Sequence, residues 1–492
     1  FEGLVVSDWG AVNDRVKGLP AGLDLEMPAS GGRTDAQLVA AVRDAALDEA
    51  ALDVAANRVL DLVAKAGARP AASGPLDVDA HHALAREVAG RAIVLLRNND
   101  RGGAGPLLPL ARDARIAVIG EFARTPRFQG AGSSLINPTR LDTALTEIRA
   151  LAVGEVVFAP GFALEGVAET AGQDAADLRA EAAAAAAGAE VVVLFLGLPA
   201  AEESEGFDRD HIDLPADQLA LLAAVRAANP NVVVVLSNGG VVALPFRDEV
   251  PAILEGWLLG QAGGGATADV LFGIVNPSAK LAETIPLRLE DSPSYGNFPG
   301  EFGHVRYGEG LLVGYRGFDA RGLDVAYPFG HGLSYTTFAY GAPVASVGAS
   351  GDLVVTVPVM NTGEVDGREI VQVYISPVAS AVQRAPRELK AFASVAIAAG
   401  ATAEVTLTVR RSDLAYWDVR VDRFVVEGGD YRVEVAASSR DVRGEVTVAV
   451  AGDEVALPLT MNSSLADVFA HPIAGPIVQQ AMGGFLAGMN DV

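Results

Sequence analysis

The chain has 492 residues, half of them hydrophobic and none of them cysteine. This length allows about three domains with sizeable cores, and the missing thiols exclude disulfides and thiolate chemistry. The 37 basic and 62 acidic residues give a formal net charge of −25, which repels phosphate groups. Nucleic acids and anionic membrane surfaces are therefore not expected partners, whereas a neutral ligand is compatible with this charge.

The first 68 residues predict a strand, a loop, a short strand and a helix. The apolar run from Leu4 to Val6 predicts a strand that leads into Asp8 before a glycine turns the chain. Apolar residues at helical spacing then predict one long helix over Asp35–Lys65. Glycine and proline end this helix, and residues 69–80 are predicted to be a linker.

Strand and helix patterns alternate over residues 81–342, of which the last part, 287–342, is rich in loops. The alanine-rich segment 175–187 and residues 216–228 predict crossover helices. Four apolar runs are continuous, which is typical of parallel strands buried on both faces and predicts a three-layer α/β/α sandwich. These runs are IAVIG (116–120), VVVLFL (191–196), VVVVLS (232–237) and AILEG (252–256).

Over residues 343–452 apolar residues recur at every second position. Runs such as DLVVTVPVMN and AEVTLTV alternate apolar and polar residues and are separated by turns. This pattern predicts a β-sandwich of the fibronectin type III kind. Residues 453–492 predict a partly apolar helical tail that packs on another surface.

The acidic segment LGLPAAEESEGFDRDHIDLP, residues 196–215, directly follows a predicted buried strand. It therefore lies at the carboxyl edge of a parallel sheet, where open α/β sheets bind ligands. One interpretation of this segment is a solvated charged loop. A second is a calcium-binding loop, although its spacing departs from that of an EF-hand. A third interpretation is a catalytic carboxylate whose neighbours raise its pKa and make it a proton donor.

Asp8 is the candidate for a second catalytic carboxylate that would act together with such a proton donor. It ends an apolar strand, where a barrel presents its active-site groups, although an aspartate after serine more often caps a helix or a turn. Trp9 either packs in a core or forms a wall against the apolar face of a sugar ring. Two carboxylates on different domains suit glycoside hydrolysis, in which one attacks the anomeric carbon and the other protonates the leaving oxygen.

The remaining motifs indicate no further chemistry. GQAGGGATAD (260–269) lacks the Gly-Lys-Ser/Thr end of a phosphate loop, so its glycines are expected in turns. No Gly-x-Ser-x-Gly elbow occurs. His331 is expected to be a satisfied turn residue, and the six histidines show no metal-ligand spacing. We therefore expect neither a metal nor a cofactor.

Five stretches together resemble the glycoside hydrolase family 3 β-glucosidases. The resemblance runs from residue 1 to about 450 in the order expected for the family, and YPFGHGLSYTTF is the most specific stretch. The stretches are VVSDWGAVNDRV with AGLDLEMP (5–16 and 21–28), ESEGFDRDHIDLP (203–215), NPSAKLAETIP (276–286), YGEGLLVGYRGFD (307–319) and YPFGHGLSYTTF (327–338).

This resemblance implies the catalytic roles. Asp8 corresponds to the nucleophile that forms a glycosyl-enzyme intermediate, and Glu205 corresponds to the general acid/base, with Glu203 as the reserve choice. The mechanism is then a double displacement with retention of configuration. Asp8 must be ionised to attack, while Glu205 must be protonated in the first step and act as a base in the second.

The resemblance also implies the substrate contacts and the substrate class. Trp9 would line the sugar subsite, and Arg127 and Phe128 begin a segment, RFQGAGSS, that is expected to reach over the mouth of the active site. The expected substrates are small β-glucosides or oligosaccharides that are cleaved at terminal non-reducing glucosyl residues. A β-xylosidase or α-arabinofuranosidase on the same scaffold and a non-catalytic carbohydrate-binding relic are the alternatives, and assembly into a homo-oligomer is left open.

The chain departs from the family at its beginning. Members carry an N-terminal (β/α)8-type barrel with the nucleophile near its end, whereas Asp8 is almost the first residue here and the family's Lys-His segment is missing. Residues 1–68 are therefore expected to be a C-terminal remnant of this barrel, followed by the sandwich and the fibronectin-like domain. A two-strand remnant cannot close, so we expect a fragment that is inactive, or nearly so, by itself.

Overall fold

The structure is a computed structural model that describes residues 1–70, 74–99, 103, 105–455 and 457–489. The chain divides into two compact units, Phe1–Asp77 and Val78–Val492. Each unit has a hydrophobic core of its own. The predicted linker at 69–80 includes residues 71–73, which lie outside the described residues.

The first unit begins with two segments that run side by side. Val6 bridges Leu25 in parallel. Beside this bridge, the Ser7 N–H donates to the Leu25 carbonyl and the Gly10 N–H donates to the Met27 carbonyl, both at 2.9 Å. The predicted opening strand is therefore a single bridged residue within a pair of parallel segments.

The long helix predicted over Asp35–Lys65 was wrong, because the structure has two helices there. Ala45 takes a φ of 56°, and the Asp48 carboxylate caps the second helix by accepting the Ala50 N–H at 3.0 Å. A left-handed residue ends one helix, and an N-cap aspartate begins the next. The helices of this unit are α1 (Arg15–Gly18), α2 (Arg33–Arg43) and α3 (Glu49–Gly67).

Only some of the apolar residues at helical spacing in this region are buried. A small core forms around Leu38 and Leu47. Leu60 and Val63, which have the same spacing, are 62% and 63% exposed within the chain. The spacing identifies residues that share a face of α3, but it does not identify what covers them.

A six-stranded mixed sheet lies at the centre of the second unit. Its strands are β1 (Val94–Asn98), β2 (Ile116–Ile119), β3 (Val156–Ala159), β4 (Val191–Gly197), β5 (Val232–Ser237) and β6 (Ala252–Glu255). The strand order is β1-β6-β5-β4-β2-β3, with β1 antiparallel to β6 and the other pairs parallel. The four predicted apolar runs are β2, β4, β5 and β6, whereas β1 and β3 were not predicted.

Among the described residues of the second unit up to residue 271, five helices flank this sheet. They are α4 (Val78–Ala92), α5 (Ala144–Leu151), α6 (Ala175–Gly188), α7 (Ala216–Ala228) and α8 (Gly263–Leu271). They form two groups, one of α6 and α7 and the other of α8 with α4 and α5. The strands between them are almost entirely buried, and the predicted three-layer sandwich is confirmed.

The direction of strand addition reverses between β2 and β4. From β2 the chain adds β3 on one side and then β4 on the other side. The carboxyl ends of β2 and β4 approach closely, since a Cβ on Gly120 would lie 2.2 Å from the Phe195 carbonyl oxygen. Open α/β sheets bind ligands at such a switch point, so the loops after β2 and β4 frame the candidate site.

The predicted fibronectin-like β-sandwich is confirmed as two four-stranded antiparallel sheets around a separate core. The elements after α8 are β7 (Ile285–Pro286), α9 (Tyr315–Ala320), β8 (Val325–Tyr327), β9 (Phe338–Tyr340), β10 (Val344–Val347), β11 (Leu353–Asn361), β12 (Gly367–Pro377), β13 (Glu388–Ile397), β14 (Thr402–Val409), β15 (Tyr416–Asp418), β16 (Arg423–Val425), β17 (Gly429–Ser438) and β18 (Asp441–Val450). One sheet joins β10, β11 and β14 with β9, and the other has the order β13-β12-β17-β18.

The tail contains two helices, α10 (Leu465–Ala470) and α11 (Ala474–Met489). Ser464 caps α10 through a capping box with Asp467. Among the described residues, none of the helices has the length and apolar character needed to cross a membrane.

Candidate active site

Asp8 and Trp9 follow the bridged segment of the first unit, and both are exposed within the chain. The Asp8 carboxylate accepts the backbone N–H of Trp9 at 2.6 Å. Asp8 does not cap the following helix, because the cap of α1 is Asp14. The Trp9 residue is 70% exposed, so it does not pack into the core of this unit.

Glu205 lies in the loop between β4 and α7, and Ser133 in the loop after β2 binds its carboxylate. The Ser133 hydroxyl donates to Glu205 Oε2 at 2.6 Å, and the Ser133 N–H donates to the same oxygen. Gly132 has a φ of 74°, and a Cβ at this position would lie 2.3 Å from Oε2. The two loops therefore meet at the switch point through Glu205.

The third interpretation of the acidic segment 196–215, in which neighbours raise the pKa of a catalytic carboxylate, does not hold for Glu205. The pKa of Glu205 is lowered, first by the hydroxyl of Ser133 and then by its N–H, because both groups donate to the carboxylate. Glu205 is exposed, so burial does little to favour the protonated form. Both donors of Ser133 therefore stabilise the ionised form of this carboxyl group.

Glu203, the reserve choice, has both carboxylate oxygens bound by the backbone of another loop. The Gly239 N–H donates to Oε2 at 2.6 Å, and the Gly240 N–H donates to Oε1 at 2.8 Å. Arg127 adds an ion pair, with 3.5 Å between Nη2 and Oε2. Glu203 thus joins the loop after β4 to the loop after β5.

Arg127 and Phe128 also connect loops of the second unit. The Arg127 side chain is 8% exposed, and its guanidinium donates to the carbonyl oxygens of Leu198 and Glu203. Phe128 is half-buried and lines a cavity beyond the carboxyl ends of β4, β5 and β6. The contact of these two residues with a substrate stays a prediction.

A buried carboxylate at the end of β6 was missed by sequence reasoning. Glu255 is 0% exposed and accepts the Trp257 N–H at 3.0 Å and the Asn238 side-chain amide at 3.4 Å. Burial raises the pKa of Glu255 to about 8, and the negative charges of Glu283 and Glu203 add to this shift. The available signal was one acidic residue at the end of the apolar run AILEG.

The raised pKa of Glu255 predicts that the folded chain becomes less stable as the pH rises from about 5 to 8. Its pKa is about 8 in the folded chain and near 4.3 for an unperturbed glutamate. Between these values the folded state holds a proton that the unfolded state has released, so the free energy of unfolding falls with rising pH, by at most about 1.4 kcal/mol per pH unit.

Calorimetric unfolding midpoints of the second unit between pH 5 and 8.5 measure this effect. Glu255→Gln keeps the buried group neutral at every pH and is expected to flatten the decline. Glu155→Gln, at an exposed glutamate of the same unit, serves as the control and should leave the decline in place. An unchanged pH dependence in Glu255→Gln would contradict the assignment.

The second unit brings Glu203, Glu205 and Arg127 together at the carboxyl edge of its sheet, while Asp8 and Trp9 belong to the first unit. Sequence reasoning assigned the segment with Ser133 to a loop over the active-site mouth, but it did not predict the bond between Ser133 and Glu205. In the part of the chain that the structure describes, no three His, Asp or Glu side chains are placed to hold a metal ion.

Two family models match the second unit. The model for the glycosyl hydrolase family 3 C-terminal domain matches residues 93–335, and the model for the fibronectin type III-like domain matches residues 369–439. The first match includes both loops that meet at Glu205.

Relatives extend the similarity to nearly the whole chain. An exo-α-(1→6)-L-arabinopyranosidase of Bifidobacterium breve is 48% identical over 99% of this chain and 64% of that protein. The crystal structure of a family 3 β-glucosidase from Bifidobacterium adolescentis has a TM-score of 0.87 and 48% identity, covering 97% of this chain and 69% of that one. DesR, a β-glucosidase from Streptomyces venezuelae in complex with D-glucose, has a TM-score of 0.80 and 30% identity, with 92% and 72% covered. The chain thus spans about two thirds of the length of these proteins.

Proposed function

The chain belongs to glycoside hydrolase family 3, and on this premise we propose that it carries both catalytic carboxylates of a retaining, exo-acting β-glucosidase. Asp8 is the nucleophile and Glu205 is the general acid/base. The substrates are small β-glucosides or oligosaccharides, cleaved at the terminal non-reducing glucosyl residue. A retaining mechanism requires its two carboxyl groups to lie about 5–5.5 Å apart once the sugar is bound.

The reaction proceeds in two displacements. The Asp8 carboxylate attacks the anomeric carbon while the bond to the leaving oxygen breaks and that oxygen takes a proton from Glu205. The Glu205 carboxylate then removes a proton from water, the water oxygen bonds to the anomeric carbon, and the ester to Asp8 breaks. Both carboxylates return to their starting protonation states.

The observation that carries this proposal is the state of the two glutamates in the loop after β4. Glu205 is exposed at the switch point of the sheet and is hydrogen-bonded to a neutral residue on one oxygen. Glu203 is 17% exposed and is bound on both oxygens. A group that must give a proton to a substrate and take one from water has to be reachable, which favours Glu205.

An α-L-arabinopyranosidase is the second candidate, because the Bifidobacterium breve relative of that activity is as similar to this chain as the β-glucosidase structure is. An α-L-arabinopyranoside lacks the hydroxymethyl group of a glucoside and has its 4-hydroxyl on the opposite face. These differences lie away from the anomeric carbon, so Asp8 and Glu205 serve either sugar. Specificity depends on the residues that contact the far side of the ring.

A fusion protein tests the proposal. The part of the Bifidobacterium adolescentis β-glucosidase that precedes its match to Phe1 is placed ahead of this chain, and the fusion protein, the chain alone and the unaltered relative are assayed. The substrates are 4-nitrophenyl β-D-glucoside, β-D-xyloside, α-L-arabinofuranoside and α-L-arabinopyranoside. We expect the β-glucoside to be preferred, and we expect the chain alone to be slower by on the order of 10³-fold or more, since a few parallel segments do not form a closed barrel that positions a sugar.

Two results would contradict the proposal. A folded fusion protein that is inactive on all four glycosides, beside an active relative, would favour a non-catalytic carbohydrate-binding protein. A preference for the arabinopyranoside would favour the second candidate. Thermal unfolding of the fusion protein establishes that it is folded in either case.

A further inference from the structure

The loop from Gln129 to Ile136 is closed and holds Ser133 against Glu205. Gln129 closes it with two side-chain bonds, donating to the Ile136 carbonyl and accepting the Ile136 N–H, both at 3.0 Å. Gly132 permits the close approach, because any Cβ would collide with the Glu205 side chain. The contact therefore depends on the backbone of this loop as well as on the serine hydroxyl.

Ser133 binds only one of the two carboxyl oxygens of Glu205. Both donors of Ser133, its hydroxyl and its N–H, bind Oε2. Within the described residues of the second unit, no hydrogen bond is made to Oε1. A carboxyl oxygen that accepts two hydrogen bonds is a poor place for a proton, since the proton would have to replace one of the donors.

Three charged residues of the loops that meet at Glu205 bind backbone groups elsewhere. Glu203, on the same loop, binds the backbone of Gly239 and Gly240, and Arg209 donates to the Val241 carbonyl. Arg127, at the start of the opposite loop, binds the carbonyl oxygens of two residues after β4. The causes that shift the pKa of Glu205 are the two donors of Ser133 and a small opposing effect of burial, with no charged group among them.

We infer that Ser133 is a positioning residue that fixes Oε2 as the acceptor oxygen of Glu205 and leaves Oε1 to carry the proton in both displacements. This inference rests on the proposed function. In the first step, Oε1–H gives its proton to the leaving oxygen, which keeps the electron pair of the broken glycosidic bond. In the second step, Oε1 takes a proton from the water whose oxygen bonds to the anomeric carbon.

The same contact sets the balance between the two steps. By stabilising the carboxylate, Ser133 favours the base that the second step needs and disfavours the acid that the first step needs. The kinetic parameter kcat/KM reports on the first step. It declines above the pKa of Glu205 when the leaving group needs a proton. Removing the hydroxyl raises this pKa, so the alkaline side of the profile must move to higher pH.

The experiment is the pH dependence of kcat/KM on cellobiose for variants of the fusion protein. Ser133→Ala is expected to move the alkaline limb up by about 0.5–1 pH unit, whereas Ser133→Thr, which keeps the hydroxyl, is expected to leave it in place. Ser134→Ala is the matched control, because the Ser134 hydroxyl bonds the Ala131 carbonyl in the same loop and not Glu205. Its alkaline limb should coincide with that of the parent.

Loss of activity at every pH without movement of the alkaline limb would mean that Ser133 only joins the two loops, and the inference would be overturned. An equal movement in Ser134→Ala would also overturn it. If Ser133→Ala does not fold, Ser133→Cys, a weaker donor of similar size, gives the same readout. An inactive parent fusion protein would contradict the proposed function instead, so the two failures are distinguishable.

Discussion

Asp8→Asn in the fusion protein is expected to lower kcat on 4-nitrophenyl β-D-glucoside by on the order of 10⁴-fold or more. The amide has nearly the shape of the carboxylate but cannot form the ester to the anomeric carbon, so the first displacement is lost. A 2-deoxy-2-fluoro glucoside, which slows the second displacement, should leave a sugar adduct on the parent and none on the variant. Mass spectrometry of proteolytic peptides detects this adduct.

Asp14→Asn is the matched control for this substitution. Asp14 lies in the same segment and caps α1 by accepting the Lys17 N–H at 3.0 Å, and asparagine caps helices about as well as aspartate. The control removes the same charge and should keep both the activity and the labelling. An adduct on a peptide that excludes Asp8, or labelling of Asp8→Asn at the parent's rate, would contradict the assignment of the nucleophile.

Glu205→Ala is expected to lower kcat/KM on cellobiose by on the order of 10³-fold. On 2,4-dinitrophenyl β-D-glucoside kcat/KM should change by less than about tenfold, because that leaving group departs without a proton. The second displacement loses its base on either substrate, so kcat should fall on the activated substrate as well. Azide, a nucleophile that needs no base, is expected to restore it and to give the β-glucosyl azide.

Glu203→Gln separates the two glutamates of this loop. The amide nitrogen cannot accept a hydrogen bond, so the side chain loses an acceptor for the turn at Gly239 and Gly240. We expect a lower unfolding temperature and similar losses on both substrates. If Glu203→Gln shows the large loss on cellobiose together with azide rescue, and Glu205→Ala does not, the acid/base is Glu203.

The sandwich and the fibronectin-like domain could be predicted because each of their main strands has a characteristic pattern of apolar residues within a few consecutive positions. The runs at β4 and β5 are continuous and buried on both faces, while β11 alternates buried and less buried residues. Edge elements are less visible in the sequence. β1 is an edge strand that pairs antiparallel to β6, and its apolar residues directly follow α4 without a turn signal.

The helical region of the first unit shows the opposite case. Residue 45 is alanine, which has a high helix propensity, so the residue type at Ala45 does not predict that a helix ends there. The break comes from its left-handed backbone and from the cap at Asp48. Local patterns predict that helices exist more securely than they predict where helices end.

By itself the sequence determined that the chain folds as an α/β sandwich followed by a fibronectin-like domain, and that its motifs belong to a glycosidase family. The short-range periods of apolar residues and the order of the motifs contain this information. Only the tertiary structure decided that Ser133, 72 positions before Glu205, binds one oxygen of that carboxylate and lowers its pKa. The physical reason is that a pKa depends on which donors and charges surround a group in space. The adjacent parallel strands β2 and β4 bring together loops that are far apart along the chain.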